Sequence, residues 1–169
     1  VPEEPAAWGA YFLLVTVGAM AGVIYGAFVH FLPRYLDAVG QGSYNLSPES
    51  LRNYRTALVM LCALVGQALA GRMARPGRLE WQLSLILFSG APALVWVAFA
   101  DGSWRVWATC TVAFIHFMSQ PIYNSLVAQY VPAAHRSVGY GFSNMIGFGI
   151  GALGPALAGL TQDSLVIYG

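Results

Sequence analysis

AFIHFMSQPIYNSLVAQYVPAAHRSVGYGFSNMIGFGIGALGPALAG, residues 113–159, sets two long apolar segments on either side of a short polar hinge at residues 132–136. The first segment carries a polar stripe of His116, Gln120 and Asn124, and the second is rich in glycine. Polar side chains in one apolar segment and small residues in the next are typical of helices packed around a polar pathway in a membrane. The stretch therefore predicts an all-α bundle of membrane-spanning helices.

The composition of the whole chain also indicates a membrane protein. Of its 169 residues, 57% are apolar and only 9% are charged, whereas a soluble domain carries about 25% charged residues. All eight basic residues are arginine, and the formal net charge of +1 gives no indication of nucleic-acid binding. Cys62 and Cys110 both lie inside apolar segments, so we interpret them as small core residues and expect neither a disulfide nor a zinc site.

No signal peptide is visible at the start of the sequence, and its end resembles the start of another apolar segment. No basic region of the kind that opens a signal peptide precedes the first apolar segment, and the chain starts with Val1. Residues 165–169, LVIYG, have the composition of the start of a further apolar segment. We therefore expect a part of a longer protein, with a sixth span beginning at Leu165.

Five mostly apolar stretches are long enough to cross a bilayer, which takes about 20 helical residues. The predicted spans are residues 8–32, 51–71, 81–100, 104–130 and 137–160. Ser47, Pro48 and Glu49 predict the start of the second helix, because serine caps, proline suits the first helical position and an acid suits the positive end. A polar loop is expected at residues 34–45, and Pro76–Gly77 predicts a turn.

Glycines form one face of the first span. Gly18, Gly22 and Gly26 recur every four residues and lie on one side of a helix with 3.6 residues per turn. Gly147 and Gly151 belong to the glycine-rich fifth span. A face without side chains lets another helix approach closely, so we predict that these five glycines pack helices together.

Arginine counts leave the orientation open. The loops on one side carry Arg72, Arg75, Arg78 and Arg136, and those on the other carry Arg34, Arg52, Arg55 and Arg105. Because each side carries four arginines, the count does not determine the orientation. The first set is concentrated in two short loops, and this favours the cytoplasm for that side. We interpret Arg72, Arg75 and Arg78 as residues that set topology and gating.

Four stretches in order resemble the C-terminal half of a major facilitator superfamily transporter, helices seven to eleven with the start of helix twelve. They are residues 31–40, the glycine-rich basic loop GQALAGRMARPGR from Gly66 through Arg72, Arg75 and Gly77 to Arg78, residues 120–136, and residues 139–159. Gly71 departs from the family pattern, which usually has an acid at this position. The motifs cover nearly the whole chain, and their order and spacing are more specific than any one of them.

The resemblance implies secondary active transport of a small solute by alternating access, with a six-helix N-terminal half as partner. It implies a multi-pass protein of the cell membrane, such as a bacterial inner membrane, with no cofactor. It also implies that the first, second, fourth and fifth spans surround the central cavity.

Polar side chains inside the spans are the candidates for solute or proton contacts. His116, Gln120 and Asn124 are spaced i, i+4, i+8 and drift by about 40° per step on one helix face. They either contact a solute or bond to a neighbouring helix, and His116 is the candidate proton carrier because imidazole titrates near neutral pH. Asn144, with Tyr140 and Ser143, and Tyr25 are expected to complete the same cavity, and Gln67 is a weaker candidate.

No buried Asp, Glu, Lys or Arg is expected in the five spans. Ion coupling would then use histidine or the other half of the transporter, or be absent. One alternative is a non-transporting membrane scaffold or assembly module that uses the glycine faces. An enzyme is disfavoured, because no Ser/His/Asp arrangement is visible and His30, His116 and His135 lie at different depths and cannot share a metal.

Overall fold

The computed structural model describes residues 6–40 and 46–160, and in this part the chain is helical, without strands. The elements are α1 (Trp8–Asp37), α2 (Pro48–Met73), α3 (Leu79–Phe99), α4 (Trp104–Tyr130), a single 3₁₀ turn (Ala133–His135), α5 (Arg136–Gly151) and α6 (Leu153–Leu160). The predicted all-α fold class is confirmed. The sixth span predicted from Leu165 lies outside the described residues.

Four segments in the described ranges are long and apolar enough to cross a membrane: α1, α2, α3 and Ala133–Leu160. Helix α4 has 27 residues but is not among them. His116, Gln120 and Asn124 interrupt its apolar sequence, together with several serines and threonines. The predicted fourth span, residues 104–130, therefore stays a prediction that rests on the length of α4 and on its position among the other helices.

Helix α1 is longer than predicted. It continues through Pro33 and ends at Asp37, so the expected polar loop is wrong for residues 34–37. Leu32, Tyr35 and Leu36 are all buried, and the packing of this face holds the last turn helical although Pro33 has no N–H to donate.

The predicted fifth span is two helices, because α5 ends at Gly151 and α6 begins at Leu153. Pro155 cannot donate a hydrogen bond to the carbonyl of Gly151, four residues earlier, and its ring crowds that carbonyl. Glycine is also a poor helix former, and four glycines lie between residues 147 and 154. The break therefore falls one turn before the proline that causes it.

Two local predictions are confirmed. Ser47 precedes α2 in an extended conformation, and its side chain accepts a hydrogen bond from the Ser50 N–H at 3.2 Å, with Pro48 in the first turn. Gly77 has φ 81°, which is the left-handed conformation that the Pro76–Gly77 turn requires.

Helix α4 is the central element and packs against α1, α2, α3 and α5. Apolar clusters lie at both ends of the bundle. The amino-end cluster, near the start of α1, contains Tyr11, Leu14, Val15, Leu79, Leu83, Ile122, Leu126, Val127 and Val131. The carboxy-end cluster, near the end of α1, contains Leu32, Tyr35, Leu36, Val59, Ala63, Cys110 and Ala113, with the half-buried Cys62 packed against it.

Tyrosine hydroxyls tie the helices together at these ends. Tyr11 donates to the Gly139 carbonyl at 2.8 Å, and Tyr140 donates to the Asn124 carbonyl at 2.9 Å. Tyr130 donates to the Glu80 carboxylate at 2.9 Å, and Tyr35 donates to the Val97 carbonyl. Each bond joins two different helices.

Arg105 corrects the prediction that the spans bury no charge. It lies in the first turn of α4 and is only 8% exposed, whereas the sequence placed it in a loop. Its guanidinium carbon sits 4.7 Å from the centre of the Tyr35 ring, and its Nη2 is 3.7 Å from the Asp101 carboxylate. The aromatic face and the neighbouring acid offset part of the cost of burying the charge.

Candidate functional site

A cavity of about 500 Å³ lies between the two apolar clusters, at the middle of the bundle. On α1, residues 11–15 belong to one cluster, residues 17–26 line the cavity and residues 32–36 belong to the other cluster. Its polar lining comes from α4 and α5, and a glycine-rich wall comes from α1 and α5. Transporters place their solute sites near this depth.

All five residues proposed from the sequence as solute or proton contacts line this cavity. They are Tyr25 on α1, His116, Gln120 and Asn124 on α4, and Asn144 on α5. Gln67 on α2 does not line it. The periodic spacing on α4 identified one face, but only the packing shows that this face meets Tyr25 and Asn144.

Sequence reasoning missed several of the lining side chains, among them Ser119 and Tyr123, and misplaced one helix. Ser119 and Tyr123 lie on the same face of α4 as His116 and Gln120, three residues on from each, and that periodicity was the signal for them. Helix α3 contributes Leu83 to the lining where the family resemblance implied the second span. Helix α2 instead packs closely on α4.

Gly66 allows α2 to pack closely on α4. It is buried inside α2 rather than in a loop, and a Cβ on it would collide with the Phe114 carbonyl of α4. The residue assigned from the family pattern to the gating loop therefore acts in the structure as a helix contact. Arg72, Arg75, Gly77 and Arg78, the other residues of that motif, are exposed at the amino end.

The loop that carries these arginines is held by Gln82. Its amide donates to the Met73 carbonyl at 2.9 Å and accepts from the Arg75 N–H at 3.2 Å. The loop lies far along α4 from His116, next to the Tyr130 end. It is therefore separate from the cavity.

Tyr25 and His116 form a stacked pair across the α1–α4 contact. Their ring centres are 5.4 Å apart and the ring planes differ by 5°. Phe117 meets both rings edge-on, at 5.5 Å from Tyr25 and 5.9 Å from His116. The imidazole is therefore held in a fixed orientation by aromatic contacts, without a hydrogen bond to fix it.

Four polar side chains of the cavity are not bonded to other helices, whereas Tyr123 on α4 and Ser143 on α5 are bonded to each other. Within the described residues, no hydrogen bond involves the side chains of His116, Gln120, Asn124 or Asn144. His116 and Gln120 are half-buried, and Asn124 and Asn144 are exposed, where they line the cavity. These groups are therefore placed to bond to water or to a solute in the cavity.

Glycines form the wall between α1 and α5–α6. A Cβ on Gly22 would collide with the Gly147 carbonyl, and one on Gly26 with the Gly151 carbonyl. A Cβ on Gly154 would lie 2.7 Å from the Ala27 nitrogen. The two backbones touch here, so the helices cannot accept side chains at these positions.

A side chain at Gly18 or Gly147 would meet different surroundings from one at Gly22 or Gly26. A Cβ on Gly18 would meet the Tyr123 ring at 2.8 Å, and one on Gly147 would meet only the Gly18 carbonyl, at 4.0 Å. Both residues line the cavity. Gly147 thus borders open space, whereas Gly22 and Gly26 border backbone.

Comparison with known protein families identifies a family for this chain. The family model of the Major Facilitator Superfamily matches residues 2–155. No curated protein and no solved structure matches the chain significantly. The superfamily consists of multi-pass membrane transporters, so this match confirms the resemblance to the superfamily and the prediction that the chain is not an enzyme. The position of the chain in the C-terminal half stays a prediction.

Proposed function

Because the chain belongs to the major facilitator superfamily, we propose that it serves as the C-terminal half of a secondary active transporter that moves a small solute by alternating access. The partner half would be an N-terminal bundle of six helices, and the site of action the cell membrane, such as a bacterial inner membrane. The solute binds in the mid-bundle cavity.

One observation carries the assignment of the solute site. Four of the polar side chains that line the cavity, those of His116, Gln120, Asn124 and Asn144, make no hydrogen bonds to protein within the described residues, although each has donors or acceptors to satisfy. Polar residues that serve only to join membrane helices would be bonded across a helix contact, as the end tyrosines are. Free polar groups at mid-depth support a role in binding.

The five sequence candidates have complementary roles in this proposal. Gln120, Asn124 and Asn144 present amide donors and acceptors to the solute. Tyr25 and His116 present a stacked aromatic surface, and His116 is also the proposed proton carrier, since an imidazole gains and loses a proton near neutral pH. A proton on His116 would add a positive charge to the cavity and change how the solute binds.

The loop with Arg72, Arg75, Gly77 and Arg78 has a separate role. It sets the orientation of the bundle and takes part in gating at the amino end. Within the described residues, the side chains of Arg72, Arg75 and Arg78 form no ion pair or hydrogen bond, so they are available to lipid phosphates or to the partner half.

The experiment that tests the proposal uses the full-length gene product in membrane vesicles. Solute-induced proton flux is recorded across a library of small solutes for the wild type, His116→Ala, Gln120→Ala and Thr111→Ala. Thr111 is the matched control, because it is a polar residue of α4 that bonds to its own helix at the Trp107 carbonyl and does not line the cavity.

We expect His116→Ala and Gln120→Ala to lower the flux at least about tenfold, which corresponds to the loss of about 1.4 kcal/mol of solute binding. Thr111→Ala should keep the wild-type flux. Flux that survives in both cavity variants at normal protein levels contradicts a solute site in this cavity.

A further inference from the structure

We infer that the cavity binds an uncharged solute that carries a flat aromatic or heteroaromatic ring with hydrogen-bonding groups at its edge. The inference rests on the proposed function, because it names the ligand class of the same cavity. It follows from the charge, the rings and the unbonded amides of the lining, which are independent of one another.

The lack of charge on the solute is inferred from the lack of charged side chains in the lining. Among the described residues that line the cavity there is no Asp, Glu, Lys or Arg. The buried Arg105 lies at the carboxy end against Tyr35, and Glu80 lies at the amino end against Tyr130. A charged solute would find no carboxylate, ammonium or guanidinium partner in this lining, so these residues offer little to offset the loss of its hydration.

The flat ring of the solute is inferred from the aromatic side chains of the lining. Tyr25 and His116 present a parallel pair of rings, and Tyr123 and Phe148 add two more to the lining. Aromatic rings prefer offset-stacked or edge-on neighbours, and each such pair contributes about 0.5–1.5 kcal/mol beyond the burial of area. A flat aromatic ring can therefore stack on this surface through its whole π face.

The hydrogen-bonding groups at the edge of the ring are inferred from the amide side chains of the lining. Gln120, Asn124 and Asn144 each offer an N–H donor beside a carbonyl acceptor, and none of these groups is bonded within the described residues. A donor next to an acceptor matches the edge of a nitrogen heterocycle or a carboxamide. The volume of about 500 Å³ falls in the range of about 300–1,000 Å³ that is typical of sites for small organic ligands.

A substitution at Gly147 can fill the cavity without replacing any of its polar side chains. A side chain there would meet only the Gly18 carbonyl, at 4.0 Å, and would enter the open space. Gly149 lies two residues further on the same helix and does not line the cavity, and a Cβ added to it would have nothing within 4 Å. Gly147→Leu should therefore fill the cavity, and Gly149→Leu is its matched control.

The test measures the thermal stability of the purified full-length protein in detergent with matched probes. Adenosine is compared with adenosine 5′-monophosphate and nicotinamide with nicotinate, so that each pair differs by a charge. Sucrose is the uncharged probe without a ring. All probes are measured on the wild type, Gly147→Leu and Gly149→Leu, with Gly147→Ala as a smaller substitution if Gly147→Leu does not fold.

We expect at least one of the uncharged ring compounds to raise the melting temperature, with a Kd at least tenfold lower than that of its charged partner. Gly147→Leu should abolish the shift and Gly149→Leu should keep it. Binding of the charged partners as tightly as the uncharged ones, binding of sucrose alone, or no binding of either ring compound overturns the ligand class.

The outcomes also separate this inference from the proposed function. A shift that survives in Gly147→Leu places the ligand elsewhere and contradicts the proposed solute site. A charged probe whose shift is abolished by Gly147→Leu leaves the solute site standing and overturns only the ligand class.

Discussion

The ends and the middle of this bundle use the same residue types in different ways. At the ends, the hydroxyls of Tyr11, Tyr35, Tyr130 and Tyr140 each donate a hydrogen bond to another helix. In the middle, Tyr25 makes no hydrogen bond within the described residues and stacks on His116 instead. A polar residue in these helices thus joins two helices where a partner is within reach, and makes no bond to protein where none is.

The two regions also differ in how their helices are held. The ends are filled by apolar side chains, in the amino-end and carboxy-end clusters. The middle of α1 is held by backbone contact with α5 and α6 through Gly22 and Gly26. Glycine contact therefore replaces side-chain packing at the level of the cavity, which leaves room for the polar stripe of α4.

The largest effect on stability is expected at the glycine contact. Gly26→Ala would push its methyl group into the Gly151 carbonyl, and overpacking of this kind costs about 1–3 kcal/mol. Gly149→Ala is the control, because its methyl group meets nothing within 4 Å. Thermal unfolding of the detergent-purified variants should show a clear loss for the first and no loss for the second. Equal melting temperatures would mean that α1 and α5 are not in backbone contact.

A smaller effect is expected from Arg105. Arg105→Ala removes a buried side chain that packs on the Tyr35 ring, and we expect a loss of about 1–2 kcal/mol from cation–π attraction and packing. Arg78→Ala removes an exposed arginine of the amino-end loop and should change the unfolding free energy by less than about 0.5 kcal/mol. Denaturant titration of both variants measures the difference, and indistinguishable midpoints would contradict the buried position of Arg105.

The smallest effect on stability is expected from the loss of a single tyrosine hydroxyl, at Tyr11 or at Tyr25. Tyr11→Phe removes the bond to the Gly139 carbonyl and should cost about 1 kcal/mol. Tyr25→Phe removes a hydroxyl that has no protein partner in the described part of the chain and should leave stability unchanged. Transport should respond in the opposite way, with the larger loss in Tyr25→Phe. A larger loss of stability in Tyr25→Phe than in Tyr11→Phe would remove the distinction between ends and middle.

The sequence predicted the helical fold and the family because both depend on patterns along one chain. Long apolar runs, the cap at Ser47 and the turn at Gly77 are local features, and the structure has them. The end of α1 was misplaced because Tyr35 and Leu36 are held helical by packing, which overrides the local signal of Pro33.

The site was only partly predictable, for the same reason. Periodicity placed His116, Gln120 and Asn124 on one face of α4, but their lack of hydrogen bonds to other helices depends on which helices surround that face. The burial of Arg105 depends on the Tyr35 ring, which comes from another helix and lies 70 positions earlier in the sequence. The difference between Gly147 and Gly26, alike in sequence context, depends on what stands opposite each of them.

The most direct test of the central claim asks whether water reaches the middle of the bundle. Single cysteines are introduced as Gln120→Cys and Asn144→Cys in the full-length protein, after Cys62 and Cys110 have been replaced by serine, and are treated with a charged, membrane-impermeant thiol reagent. Leu126→Cys, in the amino-end cluster, and Phe88→Cys, an exposed apolar position on α3, are the controls. We predict rapid labelling of the two cavity positions and little labelling of the two controls. If Gln120→Cys and Asn144→Cys are as unreactive as Leu126→Cys, the polar stripe does not line a water-filled cavity and the proposed solute site is wrong.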